Sequence, residues 1–181
     1  ISWRYPVVEL LTGGVFLLSY LSNLSFLSYL LFAGLIVIFF VDLEHQIIPD
    51  EIVIPLIILF SLHQIILFFS KSLNPYSLIP FLSAFGSFGF FLLLYLVTKG
   101  KGMGFGDVKL AFLMGLVLGF PNVIVAFYLA FLTGALTGAI LVLRKKAKLK
   151  QKIAFGPFLA VSTVVSILWG EKIISYLVLL L

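Results

Sequence analysis

Long apolar runs separated by brief polar breaks organise this chain from end to end. Tyr5–Tyr20 is the first run, preceded by Arg4 and by Trp3, a residue type suited to a membrane interface. Ser22-Asn23 interrupts, and Leu24–Val41 follows, ending in the polar stretch Asp42-Leu43-Glu44-His45-Gln46-Ile47-Ile48-Pro49-Asp50-Glu51. Ile52–Phe69 is the third run, with His63 and Gln64 well inside it, where an interhelical hydrogen bond is their expected role. Lys71–Pro75 is polar punctuation before Leu78–Val97, in which Gly86 and Gly89 are available for close helix packing. Val108–Phe120 is short for a span at ~1.5 Å per residue, so it either sits in a thinned bilayer or begins inside the hydrocarbon. Pro121-Asn122 turns the chain into Val123–Leu143, where Gly134 and Gly138 form a small-residue packing face. Phe155–Leu181 completes the series, interrupted by Gly170-Glu171-Lys172, and reads either as one kinked span or as a span followed by an interfacial helix.

Composition turns these runs into membrane spans. Apolar residues make up 62% of the chain and charged residues 10%, and the mean hydropathy is +1.26, far outside soluble averages. At ~20 residues per span, the 181 residues predict an all-α polytopic membrane bundle of about seven transmembrane helices. The whole of 1–181 forms a single membrane-embedded domain. The chain begins Ile1-Ser2-Trp3, with no initiator Met and no secretory signal pattern, and reads as a piece of a longer protein. The absence of Cys excludes disulfides and thiolate metal sites within it.

Charge orients the bundle. Seven alternating spans that start on the cytoplasmic side place ten of the twelve cations inside, including the dense run Arg144, Lys145, Lys146, Lys148, Lys150 and Lys152. That run suits anionic lipid headgroups, and without interleaved aromatics it does not argue for nucleic acid.

The polar residues within this frame carry the chemistry. Gly100-Lys101-Gly102-Met103-Gly104-Phe105-Gly106-Asp107-Val108-Lys109 has a glycine at every second position and ends beside an acid. Missing Cβ atoms let a second, extended backbone approach, and glycine accepts backbone angles that other residues avoid. The plainer reading is a flexible turn with Asp107 as the N-cap of the next helix. Asp42 tips the balance, because it closes a span descending to the cytoplasm while Asp107 opens one rising from it. Two carboxylates at one depth on different helices suit acid–base peptide hydrolysis: one takes a proton from water, the other donates to the scissile carbonyl. Like charges a few Å apart do not both ionise, so the pair would share a proton and need no metal. Glu9, about a turn inside the first span, either pairs with Arg4 and the headgroups or contributes to function. HExxH, GxSxG and phosphate-loop patterns are absent.

The Asp42–Asp50 stretch together with Gly104-Phe105-Gly106-Asp107-Val108-Lys109 resembles the type IV prepilin peptidases, membrane aspartic proteases of the GxGD type. Ser2–Gly13 is similar to the entry of that family's membrane region, and Ala154-Phe155-Gly156-Pro157-Phe158-Leu159 to its late Phe-Gly-Pro motif. The resemblance implies cleavage of the leader of type IV prepilins and pseudopilins, on the cytoplasmic side of the bacterial inner membrane. Asp42 and Asp107 carry over as the catalytic pair. Gly104, Gly106, Lys109, Asp50 and Glu9 are the supporting candidates, Asp50 after Pro49 reading as a helix-start residue. Bacterial members also methylate the new N-terminus with S-adenosylmethionine, a function tied to a cytoplasmic zinc-binding loop. That loop and the first span would precede Ile1, so S-adenosylmethionine and zinc are expected only for that region, and the peptidase itself needs no cofactor. An ion- or proton-coupled transporter using the same acids is the alternative, and it requires them at mid-membrane.

Overall fold

The computed structural model describes residues 4–70, 75–144 and 154–179. Ser2 and Trp3, the Lys71–Asn74 punctuation and the basic residues Lys145 to Lys152 lie outside the described residues. Seven α-helices follow one another among those described: α1 Arg4–Leu21, α2 Phe26–His45, α3 Asp50–Ser70, α4 Ile79–Val97, α5 Phe105–Leu118, α6 Asn122–Leu143 and α7 Gly156–Leu179, with a short 3₁₀ turn at Pro75–Leu78 before α4. No strand occurs among them. Helices are what the runs demand, because in hydrocarbon every backbone polar group must be satisfied within its own segment. Five of them, α2, α3, α4 with its preceding turn, α6 and α7, are long and apolar enough to cross a membrane. The protein is a multi-pass membrane protein.

The shortest helix organises the bundle. At 14 residues, α5 reaches only ~21 Å, less than the ~30 Å of a hydrocarbon core. It sits in the interior, packed against α4, α3 and α7, and Val108, Leu110, Ala111, Leu113, Met114 and Leu116 are almost wholly buried. A helix apolar on all sides is one enclosed by others, so neighbours cover the length that lipid would otherwise have to match.

Close packing falls elsewhere than the glycine pattern suggested. A Cβ placed on Gly86 or Gly89 would meet nothing within 4 Å, whereas one on Gly115 of α5 would lie 2.5 Å from the Ser83 carbonyl oxygen and 2.6 Å from the Ala84 Cα of α4. The expectation for α4 is thereby corrected: the small residue that admits the neighbouring backbone is on α5, and Gly86 and Gly89 face open space. Gly115→Ala should destabilise the protein by about 1–3 kcal/mol, since backbone cannot move aside as a flexible side chain can. Thermal unfolding in detergent checks this against Gly86→Ala, which should unfold as the parent does. Gly134 does serve packing, its Cβ position lying 3.3 Å from the Phe155 ring.

Two further expectations resolve. α7 is one continuous helix through Gly170-Glu171-Lys172; Gly170 is there because a Cβ would come within 2.8 Å of Asn122 Oδ1, a contact point with α6 and not a break. Gln64 donates to the Leu116 carbonyl oxygen of α5 at 3.3 Å, the interhelical bond expected. His63 does not share in it, because its Nδ1 is buried without a partner.

Candidate active site

Three chain connections converge at one end of the bundle: the loop from α2 to α3, the loop from α4 to α5, and the approach to α7. Asp42, Gln46, Ile48, Gly104, Asp107 and Phe155 are among the residues that line the cleft between them, about 510 Å³ in volume.

Asp42 occupies the last turn of α2 and is 4% exposed. The helix stops three residues later because Gln46 takes a left-handed conformation (φ 55°) and donates its N–H to the Asp42 carbonyl oxygen, a C-cap geometry that satisfies one of the helix's orphan carbonyls. The Asp42 side chain accepts the Gly156 N–H on Oδ2 at 2.9 Å. Asp107 is 6% exposed and accepts the Gly104 N–H on Oδ2 at 2.9 Å. Both acids line the one cleft. Each acid is thus fixed through one oxygen by the backbone N–H of a glycine from another part of the chain or the preceding turn.

The glycine loop works differently from the expectation. α5 begins at Phe105 with Gly104 as its N-cap, so Asp107 is the third helical residue and not the cap; its carboxylate reaches back to the cap N–H as the acid of a capping box does. Gly104 sits at φ −82°, ψ 160°, extended backbone open to any residue, and a Cβ there would be 3.7 Å from Asp107 Oδ2, an ordinary contact. Conformational freedom is used at Gly100, at φ 69°. At Gly106 the requirement is space: a Cβ would stand 2.8 Å from the Ile48 Cβ.

Of the supporting candidates, Gly104, Gly106, Asp50 and Lys109 line the cleft. Asp50 opens α3 as expected, and its Oδ1 is ion-paired with the Lys109 ammonium, which also lies 5.5 Å from the centroid of the Phe105 ring. The pair ties the start of α3 to the second turn of α5, beside the cleft. With Asp50 half exposed, such a pair is worth about 0.2–1 kcal/mol. Asp50→Asn should therefore keep turnover within about fivefold of the parent, read from initial cleavage rates. Glu9 does not join the site: it is exposed on α1 and outside the cleft lining, because α1 packs chiefly against α2. Two site residues were missed as individual candidates although both lie in motifs already singled out. Ile48 is in the middle of the Asp42–Asp50 stretch and Gly156 in the middle of Phe-Gly-Pro; only their contacts across the cleft separate them from their neighbours.

Residues 29–139 match the type IV leader peptidase family. The chain belongs to that family. Similar proteins named prepilin leader peptidase/N-methyltransferase include one from Stutzerimonas stutzeri, 33% identical over 193 residues that cover 98% of this chain and 63% of that protein. Another, from Pseudomonas aeruginosa, is 33% identical over 188 residues, 96% of this chain and 61% of that protein. One from Bacillus subtilis is 31% identical over 180 residues, 97% of this chain and 70% of that protein. The chain thus spans about three fifths of the length of the first two relatives. No solved structure matches it. Both cleft acids of this leader peptidase family chain fall within the matched residues, while Glu9 and Gly156 fall outside them. The transport alternative finds no support in these relatives.

Proposed function

We propose that this chain is a membrane aspartic endopeptidase that removes the leader peptide from type IV prepilins and pseudopilins, on the cytoplasmic side of the bacterial inner membrane. The observation that carries the reading is a pair of buried carboxyls, Asp42 and Asp107, brought from two helices to one cleft at the end of the bundle. One acid of the pair is ionised and removes a proton from water as its oxygen attacks the scissile carbonyl carbon. The other is protonated and donates to the carbonyl oxygen, giving a neutral tetrahedral diol. The proton taken from water then passes to the departing amine as the C–N bond breaks, while the other acid takes back a proton from a diol hydroxyl as the carbonyl re-forms, and the pair is left with one proton between its members, as at the start. Buried carboxyls suit this work, since a water-poor cleft strengthens each electrostatic contact with the changing charges. Lys109 and Asp50 hold α3 against α5, and Gly106 keeps Ile48 seated between the acid-bearing elements.

Zinc and S-adenosylmethionine have no step here. Among the described residues no three His, Asp or Glu side chains gather as a metal site requires, and the chain has no Cys, so these residues do not fit a zinc ion. The chain by itself clips without methylating.

Purified protein incubated with a prepilin, followed by mass measurement of the product, tests both statements. The expected product lacks the leader and carries an unmodified N-terminus even with excess S-adenosylmethionine. An uncut prepilin would overturn the peptidase reading. A cut product one methyl group heavier would overturn the division of labour.

A further inference from the structure

Asp42 stands at the unfavourable end of its own helix. It lies in the last turn of α2, where the negative end of the macrodipole repels a carboxylate, and it is buried as well. Asp107 has the opposite arrangement, in the first turn of α5 with the Gly104 N–H of the same helix start on its Oδ2. What compensates Asp42 is a different helix. α7 begins at Gly156, and the Gly156 N–H meets Asp42 Oδ2 at 2.9 Å, so the carboxylate of α2 sits on the positive end of α7.

The three residues at that helix start divide the task. Phe155 sets its ring, tilted, 5.2 Å from Phe131 and 6.4 Å from Phe91, anchoring the entry to α7 on α6 and α4. Pro157 has no N–H to offer, and the Phe158 and Leu159 amides donate to the Phe155 carbonyl oxygen. Gly156 is therefore the one amide in this first turn that is directed at the acid. It must also be glycine, because a Cβ would lie 2.7 Å from Asp42 Oδ2 and 3.1 Å from its Cγ.

We propose that Gly156 is the positioning residue for Asp42: its amide orients the carboxylate from the start of α7, and its bare Cα leaves room for it. The inference rests on the peptidase reading above. It makes the start of α7 part of the apparatus that holds the reacting acid.

Gly156→Ala should lower kcat for prepilin cleavage about a hundredfold, the cost of a displacement near 1 Å in a reacting group, with KM changed less than about threefold because Asp42 is moved and not the substrate-binding wall. The same Cβ would also approach Ile48 Cδ1 at 3.2 Å, so Ile48→Val, which deletes that atom, separates two causes. If Gly156→Ala acts through Asp42, adding Ile48→Val restores nothing relative to Ile48→Val alone; restored kcat, or undiminished kcat in Gly156→Ala, overturns the proposal. A measurement without turnover covers a Gly156→Ala protein that does not fold, or a parent that does not cleave. In protein labelled with ¹⁵N-glycine, Asp42→Ala should shift the Gly156 amide proton upfield and leave Gly104 in place, and Asp107→Ala should do the reverse. A Gly156 amide indifferent to Asp42→Ala would overturn the inference whatever the activity. A parent inert toward prepilin with the expected amide shifts would sink the peptidase reading and leave Gly156 as the residue that holds Asp42.

Discussion

Asp42→Asn and Asp107→Asn each give a folded protein whose prepilin cleavage falls by about 10²–10⁴-fold, the contribution of a placed general acid or base. Asparagine keeps the shape of the side chain and retains an oxygen for the Gly156 or Gly104 amide that holds each acid to the backbone. It cannot carry the proton from water or give one to the carbonyl oxygen. Since both acids belong to one proton-transfer unit, the double variant should be little worse than either single one, as groups that act together do not add. Asp50→Asn is the internal comparison: an acid on the same cleft, engaged with Lys109, whose loss leaves turnover measurable. Initial rates from quantified product, with detergent-solubilised protein checked for an unchanged unfolding midpoint, decide the matter. Full activity in either single variant removes the aspartyl mechanism.

Gly106→Val abolishes cleavage while the protein still inserts and is expressed. The residue lies in the first turn of α5, one position before Asp107, and even a single Cβ would stand 2.8 Å from the Cβ of Ile48. Ile48 is 8% exposed and cannot yield without moving the loop between α2 and α3, which begins one turn after Asp42. The branched side chain thus drives apart the two elements that carry the acids, and a misplacement near 1 Å costs about a hundredfold in rate. The consequence for global stability is smaller, since the crowding is confined to the end of the bundle and the buried face of α5 is untouched. Gly104→Ala has a different outcome. Its backbone angles suit any residue and its Cβ would make only a 3.7 Å contact, so cleavage should stay within about threefold of the parent by the same misplacement scale. Equal losses in Gly104→Ala and Gly106→Val would show that the loop needs flexibility and not space. Unchanged kinetics in Gly106→Val would reduce the glycine to an ordinary turn residue.

The membrane class, the seven helices and the acids were all legible in one dimension. A run such as Leu24–Val41 is long, apolar and closed by an acid, and in lipid such a run has one structural solution. The same alternation of spans brought Asp42 and Asp107 to one end of the bundle before any contact was known. Tertiary structure decided what each glycine is for, because a glycine's role depends on what lies opposite its missing Cβ. Gly86 and Gly89 have the spacing of a packing face and meet nothing, Gly115 meets the backbone of α4, and Gly106 meets Ile48. It likewise took Glu9 out of the cleft, since a position on α1 says nothing of which helices α1 adjoins. It brought Gly156, 114 residues from Asp42, to the carboxylate. Hydropathy sets the depth of a residue in the membrane; rotation and neighbours are set by side-chain packing between helices, which no single run encodes.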